Sequence, residues 1–423
     1  MTITLTVEKL VFGGQALARA PEGQVVFIWN ALPGETVEVE ITKKQKTHWE
    51  GNAIKVLSPS LERVLPVEDH YMSCSPWQIL SWEKEQEYKR ATALETYKKI
   101  GHLDIEPEMT QDERWQYGYR NKMEYSFAER NGQIVLAFFE RGTKRFQSIE
   151  PCKLADPLIN KTTEKVLVWI NKHKIPLRSL RAVIVRSNLQ GKTIAALFIK
   201  DEMEFPDYPE FDESFGGFRL YFSNPRCPAA IPTKLLYAAG EDYLSCRLGN
   251  VDLEFGLLSF FQVHIPLFEY ALKDMGEWIL PHKPLLDLYS GVGSIGLPLA
   301  DRVSEVLCID NNAEAIEFAK KNIEKNGLKN CEAVCSPSEK ITKAITPNKT
   351  VILDPPRAGL HKDVTQALLE AVPERILYLS CNISTQSRDV QLLLEKYKIV
   401  FSRLYNFFPR TPHVEGLVVL EKK

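Results

Sequence analysis

The spacing of apolar and polar residues changes along the chain and indicates several regions. Residues 1–58 hold short apolar segments separated by the turn sequences Gly13-Gly14, Pro21-Glu22-Gly23 and Pro33-Gly34. This pattern is typical of short strands, and about five of them in so short a stretch predict a small β-barrel of the oligonucleotide-binding kind. Residues 59–110 are expected to form a linker followed by a charged amphipathic helix over 81–100.

The remaining chain changes from irregular strands to an alternating rhythm. Residues 111–255 are rich in strand-like segments and predict a central α+β domain. Residues 256–423 contain continuous apolar runs, expected for parallel strands buried on both faces, and helical patterns between them. The strands are predicted at 285–289, 306–310, 350–354 and 376–380, and the helices at 313–327 and 361–372. We therefore predict a multidomain α/β protein whose C-terminal domain is a doubly wound, Rossmann-like sheet.

Composition narrows the class of protein. The start of the chain has no signal-peptide pattern and no apolar run is long enough to span a membrane, so a cytoplasmic protein with no membrane partner is expected. The eight cysteines form no CxxC pair and are expected to be mostly free thiols. The net charge is −2 among 423 residues. If a nucleic acid binds, its basic contacts must therefore be local.

A glycine-rich turn follows the first strand of the alternating region. Gly291, Gly293 and Gly296 allow a ligand to approach the backbone closely at a helix start. The spacing alone also fits a dinucleotide. Asp287 before the turn and Asp310 at the end of the next strand, where it can accept both ribose hydroxyls, favour S-adenosylmethionine instead.

Two later strands also end in chemically useful side chains. Asp354 is followed by two prolines, which hold the backbone extended at the pocket edge. This short motif would also fit methylation of an exocyclic nitrogen. Cys381 follows the strand at 376–380. A buried cysteine at a strand end usually serves packing, but a thiolate there could act as a nucleophile.

The C-terminal segment offers a candidate base. Glu415 precedes the last apolar strand, and Pro409 and Pro412 restrain the approach to it. A lone glutamate before an edge strand is most often solvated. His413 is the alternative, either as the base or as an orienting group.

Four separated motifs resemble the bacterial RNA uracil-5-methyltransferases. They are DLYSGVGSIGLPLA, LDPPRAGL, YLSCNISTQSRD and FFPRTPHVEGLVVL. The segments YRNKMEYSF, RGTKRFQSIEPC and LLSFFQVH add further similarity, and residues 1–58 resemble a TRAM domain, an RNA-binding barrel. The resemblance covers nearly the whole chain and implies a class I methyltransferase domain at 256–423 and an RNA-binding central domain.

The resemblance assigns roles to individual positions. Cys381 would be the nucleophile that adds to uracil carbon 6, which activates carbon 5 for methylation, and Glu415 would be the general base that then removes the carbon 5 proton. Cofactor contacts would come from Gln262, Tyr289, Gly291, Gly293, Ser294, Asp310 and Asp354. RNA contacts would come from Lys43, Lys44 and Lys46 of the barrel and from Arg120, Lys122, Arg141, Lys144 and Arg145 of the central domain. The expected partner is structured RNA bound by a monomer, and the TRAM-like barrel favours ribosomal over transfer RNA.

One departure concerns iron. Many relatives hold a [4Fe–4S] cluster through four cysteines, whereas only Cys74 and Cys152 occupy such positions here. We therefore expect neither an iron–sulfur cluster nor another metal.

Two other functions compete with RNA uracil methylation. Cytosine-5 methylation shares the cysteine chemistry, but it would need a donor to ring nitrogen 3 and would not call for the terminal His413-Val414-Glu415 arrangement. An RNA-binding or RNA-folding protein that has lost catalysis is the other rival. Intact Cys381 and Glu415 and an intact glycine turn argue against it.

Overall fold

The computed structural model describes residues 1–143, 145–227 and 229–423. Within these ranges, no helix combines the length and the apolar character needed to cross a lipid bilayer.

The N-terminal strands close into a five-stranded barrel, in the order β1-β2-β3-β5-β4. Val37 and Val39 alternate with more exposed residues, and this period of two puts one face of the strand in the barrel core. Buried Glu35 accepts a hydrogen bond of 2.6 Å from Nε of Arg63, which ties the following linker to the barrel. The predicted small barrel is confirmed. Its strands are β1 (Thr2–Leu10), β2 (Ala16–Arg19), β3 (Val25–Trp29), β4 (Thr36–Lys44) and β5 (His48–Ser58).

The linker contains two helices and a short strand: α1 (Tyr71–Cys74), α2 (Trp82–Ile100) and β6 (Glu108–Thr110). Helix α2 begins after Ser81, whose side chain accepts a hydrogen bond from the backbone nitrogen of Lys84, as N-cap residues do. It packs against the C-terminal domain, and β6 joins the edge of that domain's sheet.

The central region is built on a seven-stranded sheet covered by one helix. The strand order is β13-β12-β11-β10-β7-β8-β9, and α3 packs on β8, β10 and β11. The elements are β7 (Lys122–Arg130), β8 (Gln133–Phe139), β9 (Phe146–Ser148), α3 (Pro157–Lys172), β10 (Leu180–Ser187), β11 (Thr193–Ile199), β12 (Phe215–Phe222) and β13 (Lys234–Gly240).

A separate hairpin, β14 (Tyr243–Leu248) and β15 (Val251–Gly256), lies between the central sheet and the C-terminal domain. Leu253 and Phe255 of this hairpin share one hydrophobic core with Phe198 of the central sheet and with Phe268 and Ile316 of the C-terminal domain. Burial of these side chains joins the two regions through an apolar interface.

The C-terminal domain is an eight-stranded sheet in the order β18-β17-β16-β19-β20-β22-β21-β6. Five neighbouring strands, β18, β17, β16, β19 and β20, run parallel to one another. Strand β22 runs antiparallel to both of its neighbours. The predicted doubly wound α/β architecture is confirmed, and the carboxyl ends of the parallel strands share one edge. The elements are α4 (Ile265–Trp278), β16 (Leu285–Leu288), β17 (Val306–Asp310), α5 (Ala313–Lys325), β18 (Cys331–Cys335), β19 (Thr350–Leu353), α6 (Lys362–Ala371), β20 (Arg375–Ser380), α7 (Ile383–Leu393), β21 (Tyr397–Tyr405) and β22 (Glu415–Lys422).

Candidate active site

The glycine-rich turn follows β16 at the carboxyl edge of the sheet. Gly291 and Gly293 have φ angles of 56° and 85°, a left-handed conformation that glycine adopts without steric cost. A side chain at Gly291 would meet only the carbonyl oxygen of Phe260, at 3.9 Å. The space above this glycine is therefore open to a ligand. Ser294 is buried in the same turn.

Two carboxylates hold the turn in place. Asp310, the last residue of β17, accepts a hydrogen bond of 2.9 Å from the backbone nitrogen of Gly291. Asp287, in β16, accepts one of 2.8 Å from the backbone nitrogen of Gly296. Oδ1 of Asp287 and Oγ of Ser290 are buried and have no hydrogen-bond partner among the described residues. The pocket thus keeps spare polar capacity of the kind a bound ligand can satisfy.

The pocket concentrates negative charge in a poorly solvated place. Asp354 follows β19, and one of its carboxylate oxygens accepts a hydrogen bond of 3.1 Å from Nε2 of Gln262. Burial and the negative charge of Asp310 together raise the pKa of Asp354 to about 7. Burial likewise raises the pKa of Asp287 to about 8, with added contributions from Asp354 and Asp310. Such an arrangement favours a ligand that carries positive charge.

The central region positions Gln262. Nη1 of Arg186, which is fully buried, donates to the carbonyl oxygens of Gly256 and Ser259 at 2.7 and 2.5 Å. Nδ2 of Asn121 donates to the carbonyl oxygen of Gln262 at 2.9 Å. These hydrogen bonds shape the loop that carries Gln262, so the central region takes part in building the pocket.

Cys381 and Glu415 lie at the ends of neighbouring antiparallel strands. In the register between β20 and β22, Ser380 pairs with Gly416. Cys381 follows Ser380 and Glu415 precedes Gly416, so these two residues face each other across the antiparallel pair. Glu415 is buried and Cys381 is half-buried. The sequence could suggest each residue separately, and the strand register brings them together.

The electrostatics of this pair depend on Asp354 and Arg357. Burial raises the pKa of the Cys381 thiol to about 12, and the negative charges of Glu415 and Asp354 add to the rise. Burial also raises the pKa of Glu415 well above its usual range, again assisted by Asp354. Arg357 opposes both shifts through its positive charge. The sequence offers one signal for this role of Arg357, its position directly after Asp354-Pro355-Pro356.

A hydrogen-bond network from α2 and α7 fixes the two strand ends. Nε2 of Gln386 donates to the carbonyl oxygens of Tyr378 and Gly416, both at 2.8 Å. Oε1 of Gln386 accepts a hydrogen bond of 2.7 Å from the hydroxyl of Tyr97 in α2. The network joins β20 to β22 beside Cys381 and Glu415.

The two histidines near the pocket are buried or half-buried. Burial lowers the pKa of His413 to about 4, with further lowering by nearby cations, Arg357 first among them. His413 is therefore neutral near pH 7, and its ring lies edge-on to that of Phe408. His264 caps α4, where Nδ1 accepts a hydrogen bond of 3.2 Å from the backbone nitrogen of Leu267.

The basic residues suggested for RNA contacts differ in exposure. Lys43, Lys44 and Lys46 are exposed on the barrel, and Lys44 lies over the ring of Trp49 at 4.2 Å from its centroid.

In the central region, Arg120 and Lys122 are half-buried and Arg145 is exposed. Burial lowers the pKa of Lys122 to about 8. Nε of Arg145 donates to Glu140 at 2.7 Å. Nε of Arg141 donates to the carbonyl oxygen of Met72 at 2.9 Å, and its guanidinium stacks over Trp29, so this residue joins the central sheet to the linker and the barrel. Lys144 lies outside the described residues.

Comparison with family models supports the resemblance seen in the motifs. Residues 262–423 match the model described as tRNA (uracil-5-)-methyltransferase. Residues 1–54 match the TRAM domain.

Full-length relatives agree with the family models. The chain is 30% identical to an uncharacterized RNA methyltransferase of Bacteroides thetaiotaomicron, with 96% of this chain and 99% of the relative covered. It is 28% identical to an uncharacterized RNA methyltransferase of Oceanobacillus iheyensis, with 99% and 96% covered.

A solved structure extends this similarity to three dimensions. It is the tRNA (uracil-54, C5)-methyltransferase of Pyrococcus abyssi in complex with S-adenosyl-L-homocysteine, which is 26% identical, has a TM-score of 0.81 and is matched over 99% of this chain and 100% of the other. The chain therefore belongs to the tRNA (uracil-5-)-methyltransferase family of RNA methyltransferases and carries a TRAM domain at its N-terminal end.

Proposed function

We propose that this chain methylates carbon 5 of a uracil in structured RNA, with S-adenosylmethionine as methyl donor and Cys381 as a covalent nucleophile. The observation that carries the proposal is the placement of Cys381 beside Glu415 by the register of β20 and β22, at the same sheet edge as the glycine turn and Asp354. Methyl transfer to a weakly nucleophilic ring carbon needs a nucleophile, a base and an adjacent donor pocket.

The residues of the pocket fit the donor. The open space above Gly291 admits the cofactor close to the backbone, and Asp310 is placed to accept hydroxyl groups. A cationic ligand would lower the raised pKa of Asp354 and of Asp287 and so favour their negatively charged forms. When bound, S-adenosylmethionine supplies an electrophilic methyl group on a positively charged sulfur. Gln262, Tyr289, Gly293 and Ser294 complete the proposed set of contacts.

Cys381 begins the reaction as a thiolate. Its sulfur adds to carbon 6 of the uracil ring, and the ring electrons shift to carbon 5, which then takes the methyl group. Arg357 favours this step because its positive charge lowers the pKa of the thiol against the effects of burial and of Glu415.

Glu415 completes the reaction as the general base. It accepts the proton from carbon 5, and the electron pair left behind restores the ring double bond as the bond between Cys381 and carbon 6 breaks. The pKa of Glu415 is raised in the free protein by burial and by Asp354, and a positive charge bound next to Asp354 would lower it toward the range a base requires. His413 remains the alternative base.

The proposed substrate is ribosomal RNA, because the chain carries a TRAM barrel with Lys43, Lys44 and Lys46 exposed on it. Arg120, Lys122, Lys144 and Arg145 would extend the RNA contact onto the central region, with Arg141 holding that region against the barrel. Transfer RNA is the second candidate. The Pyrococcus abyssi enzyme acts on tRNA uracil 54, and its whole length is matched by this chain.

The covalent step is tested by two substitutions assayed on undermethylated RNA from a strain lacking the gene. Cys381→Ala should lower methyl transfer by at least about 10³-fold while cofactor affinity is retained. Cys331→Ser, at another half-buried cysteine, should leave the rate unchanged. A Cys381→Ala variant that still methylates would exclude the covalent route.

The base is tested by trapping the intermediate. Glu415→Gln should accumulate an RNA–protein adduct that survives denaturing electrophoresis, because the carbon 5 proton cannot leave. The double variant Cys381→Ala/Glu415→Gln should give no adduct. Free RNA alone with Glu415→Gln would point to another base such as His413.

Mapping 5-methyluridine in both ribosomal and transfer RNA of the deletion strain distinguishes the two substrates.

A further inference from the structure

A second cluster of reactive side chains lies where the linker meets the central region. Glu68, His70 and Cys74 come from the linker around α1, and Cys152 comes from the segment between β9 and α3. One potential ligand atom of each lies within 4.8 Å of those of the other three. The sequence led us to expect no metal, but from this geometry we propose that these four side chains bind a single zinc ion.

The distances suit one ion. Sγ of Cys74 lies 4.0 Å from Sγ of Cys152, and Nε2 of His70 lies 3.2 Å from Oε1 of Glu68. Ligands held at ~2.0–2.3 Å from a tetrahedral zinc ion are about 3.3–3.8 Å apart. Because the four ligand atoms lie within 4.8 Å of one another, shifts of about 1 Å or less, within the reach of side-chain rotation, would close the site around the ion.

The His70 ring supplies an independent indication of a missing ligand. His70 is 5% exposed, and its Nε2 has no hydrogen-bond partner of acceptable geometry among the described residues. The 3.2 Å approach to Glu68 thus lacks the alignment of a hydrogen bond. A buried ring nitrogen left without a partner is costly, and coordination to a metal would satisfy it.

The carboxylate of Glu68 is held for coordination by neighbouring groups. Its Oε2 accepts a hydrogen bond of 2.7 Å from Nε2 of Gln78. Oε1 of Gln78 in turn accepts a hydrogen bond of 2.9 Å from the backbone nitrogen of Val67. Such outer contacts orient metal ligands. Oε1 of Glu68, the oxygen nearest His70, faces the cluster.

The donor set favours zinc over an iron–sulfur cluster. Two thiolates, an imidazole and a carboxylate are all ligands that zinc takes in tetrahedral sites. A [4Fe–4S] cluster uses four thiolates and spreads them over four iron atoms, which requires a wider arrangement than the one formed by these side chains.

The proposed ion would fasten the linker to the central region. Other contacts already run along this boundary: the backbone nitrogen of Lys153 donates to Glu68, and Nε2 of Gln147 donates to the carbonyl oxygen of Asp69 at 3.2 Å. A surface cavity of about 380 Å³ lined by Glu68, His70 and Lys153 gives the ion a route to the site. Zinc would therefore stabilise the contact between the linker and the central region, outside the methyl-transfer pocket.

The first test measures metal in the full-length purified protein by mass spectrometry after incubation with zinc and desalting. The wild type and Cys331→Ser should retain about one zinc per chain, whereas Cys152→Ser and His70→Ala should retain at least about tenfold less. With cobalt in place of zinc, the wild type and the Cys331→Ser control should show thiolate charge-transfer bands. Cys152→Ser and His70→Ala should not show them. If Cys152→Ser folds poorly, the cobalt spectra of the wild type, Cys331→Ser and His70→Ala still test the proposal.

Several outcomes would overturn the proposal. They are a wild type that retains no zinc, a disulfide between Cys74 and Cys152 in the protein as purified, or iron with inorganic sulfide in the site.

Removal of zinc with a chelator should also lower the melting temperature of the wild type by at least about 5 °C and leave that of His70→Ala unchanged. None of these readouts depends on methyl transfer, so the zinc site and the proposed reaction stand or fall separately.

Discussion

At the scale of single residues, the unusual feature of the active site is a thiol surrounded by more negative than positive charge. Glu415 and Asp354 both raise the pKa of Cys381, in addition to burial. Arg357 is the cation that opposes them. Reactivity of the thiol near neutral pH therefore depends on the exposed guanidinium of Arg357.

The first prediction concerns the pH dependence of the reaction in Arg357→Gln. Loss of the positive charge raises the pKa of Cys381 further, so less thiolate is present at a given pH. The rate of single-turnover methylation should rise with pH in the wild type and in the variant. The pH–rate profile of the variant should be displaced to higher pH by roughly one unit. Arg357→Lys keeps the charge and should show a smaller displacement. An unchanged profile accompanied only by weaker RNA binding would mean that Arg357 contacts substrate without tuning the thiol.

At the scale of elements, α2 holds the C-terminal loop from which Glu415 emerges. Nζ of Lys89, fully buried in α2, lies 2.8 Å from a carboxylate oxygen of Glu85 and donates to Oδ1 of Asn406 at 2.6 Å and to the carbonyl oxygen of Phe408 at 3.0 Å. Glu85 also accepts a hydrogen bond of 3.0 Å from the backbone nitrogen of Arg410. One buried ion pair thus anchors the segment that leads into β22.

The second prediction is that Lys89→Met destabilises the protein strongly. It removes the nearer of two cations beside buried Glu85, the other being Arg410 with Nη1 at 3.5 Å, and it leaves Asn406 and the carbonyl oxygen of Phe408 without their donor. The expected cost is about 3 kcal/mol, and urea denaturation should show this loss. The double variant Lys89→Met/Glu85→Gln should recover part of it. Lys99→Met changes an exposed lysine of the same helix, whose ion pair with Glu95 lies at the surface, and should cost less than about 1 kcal/mol. Equal losses for the two lysines would contradict the anchoring role.

At the scale of the whole molecule, the TRAM barrel docks onto the loop that precedes Glu415. Trp77 of the linker is 2% exposed. Its ring nitrogen donates to the carbonyl oxygen of Gly14 and its backbone nitrogen to that of Arg410, both at 3.1 Å. A side chain at Gly14 would lie 2.2 Å from Cβ of Pro412. The barrel and the catalytic loop therefore meet closely around one tryptophan.

The third prediction separates this docking from local backbone strain. Gly13 and Gly14 have φ angles of 94° and 95°, so replacement by alanine strains both backbones alike. A side chain at Gly13 would meet nothing within 4 Å, whereas one at Gly14 would collide with Pro412. Gly14→Ala should lower the free energy of unfolding by about 1–3 kcal/mol more than Gly13→Ala. Thermal unfolding of the two variants measures the difference, and the same loss in both would show that the contact with Pro412 is not important.

Much of the molecule is readable from the sequence because the signals are local. Continuous apolar runs with helical patterns between them predicted the strands around Leu288, Asp310 and Ser380, and the doubly wound sheet was confirmed. Left-handed glycines at 291 and 293 follow from turn chemistry at a strand end. The motifs around Asp354 and Cys381 carried the family resemblance, which the family models and relatives confirmed.

Only the tertiary structure decided which distant residues meet. Cys381 faces Glu415 because β22 pairs antiparallel with β20, a register that depends on long-range strand pairing. Folding also turned Arg141 toward Trp29 and Met72. Glu68, His70, Cys74 and Cys152 form one cluster although the last is far from the others in sequence. Local periodicity predicts where a strand or helix lies, but side-chain neighbours across elements are set by packing, which no short stretch of sequence contains.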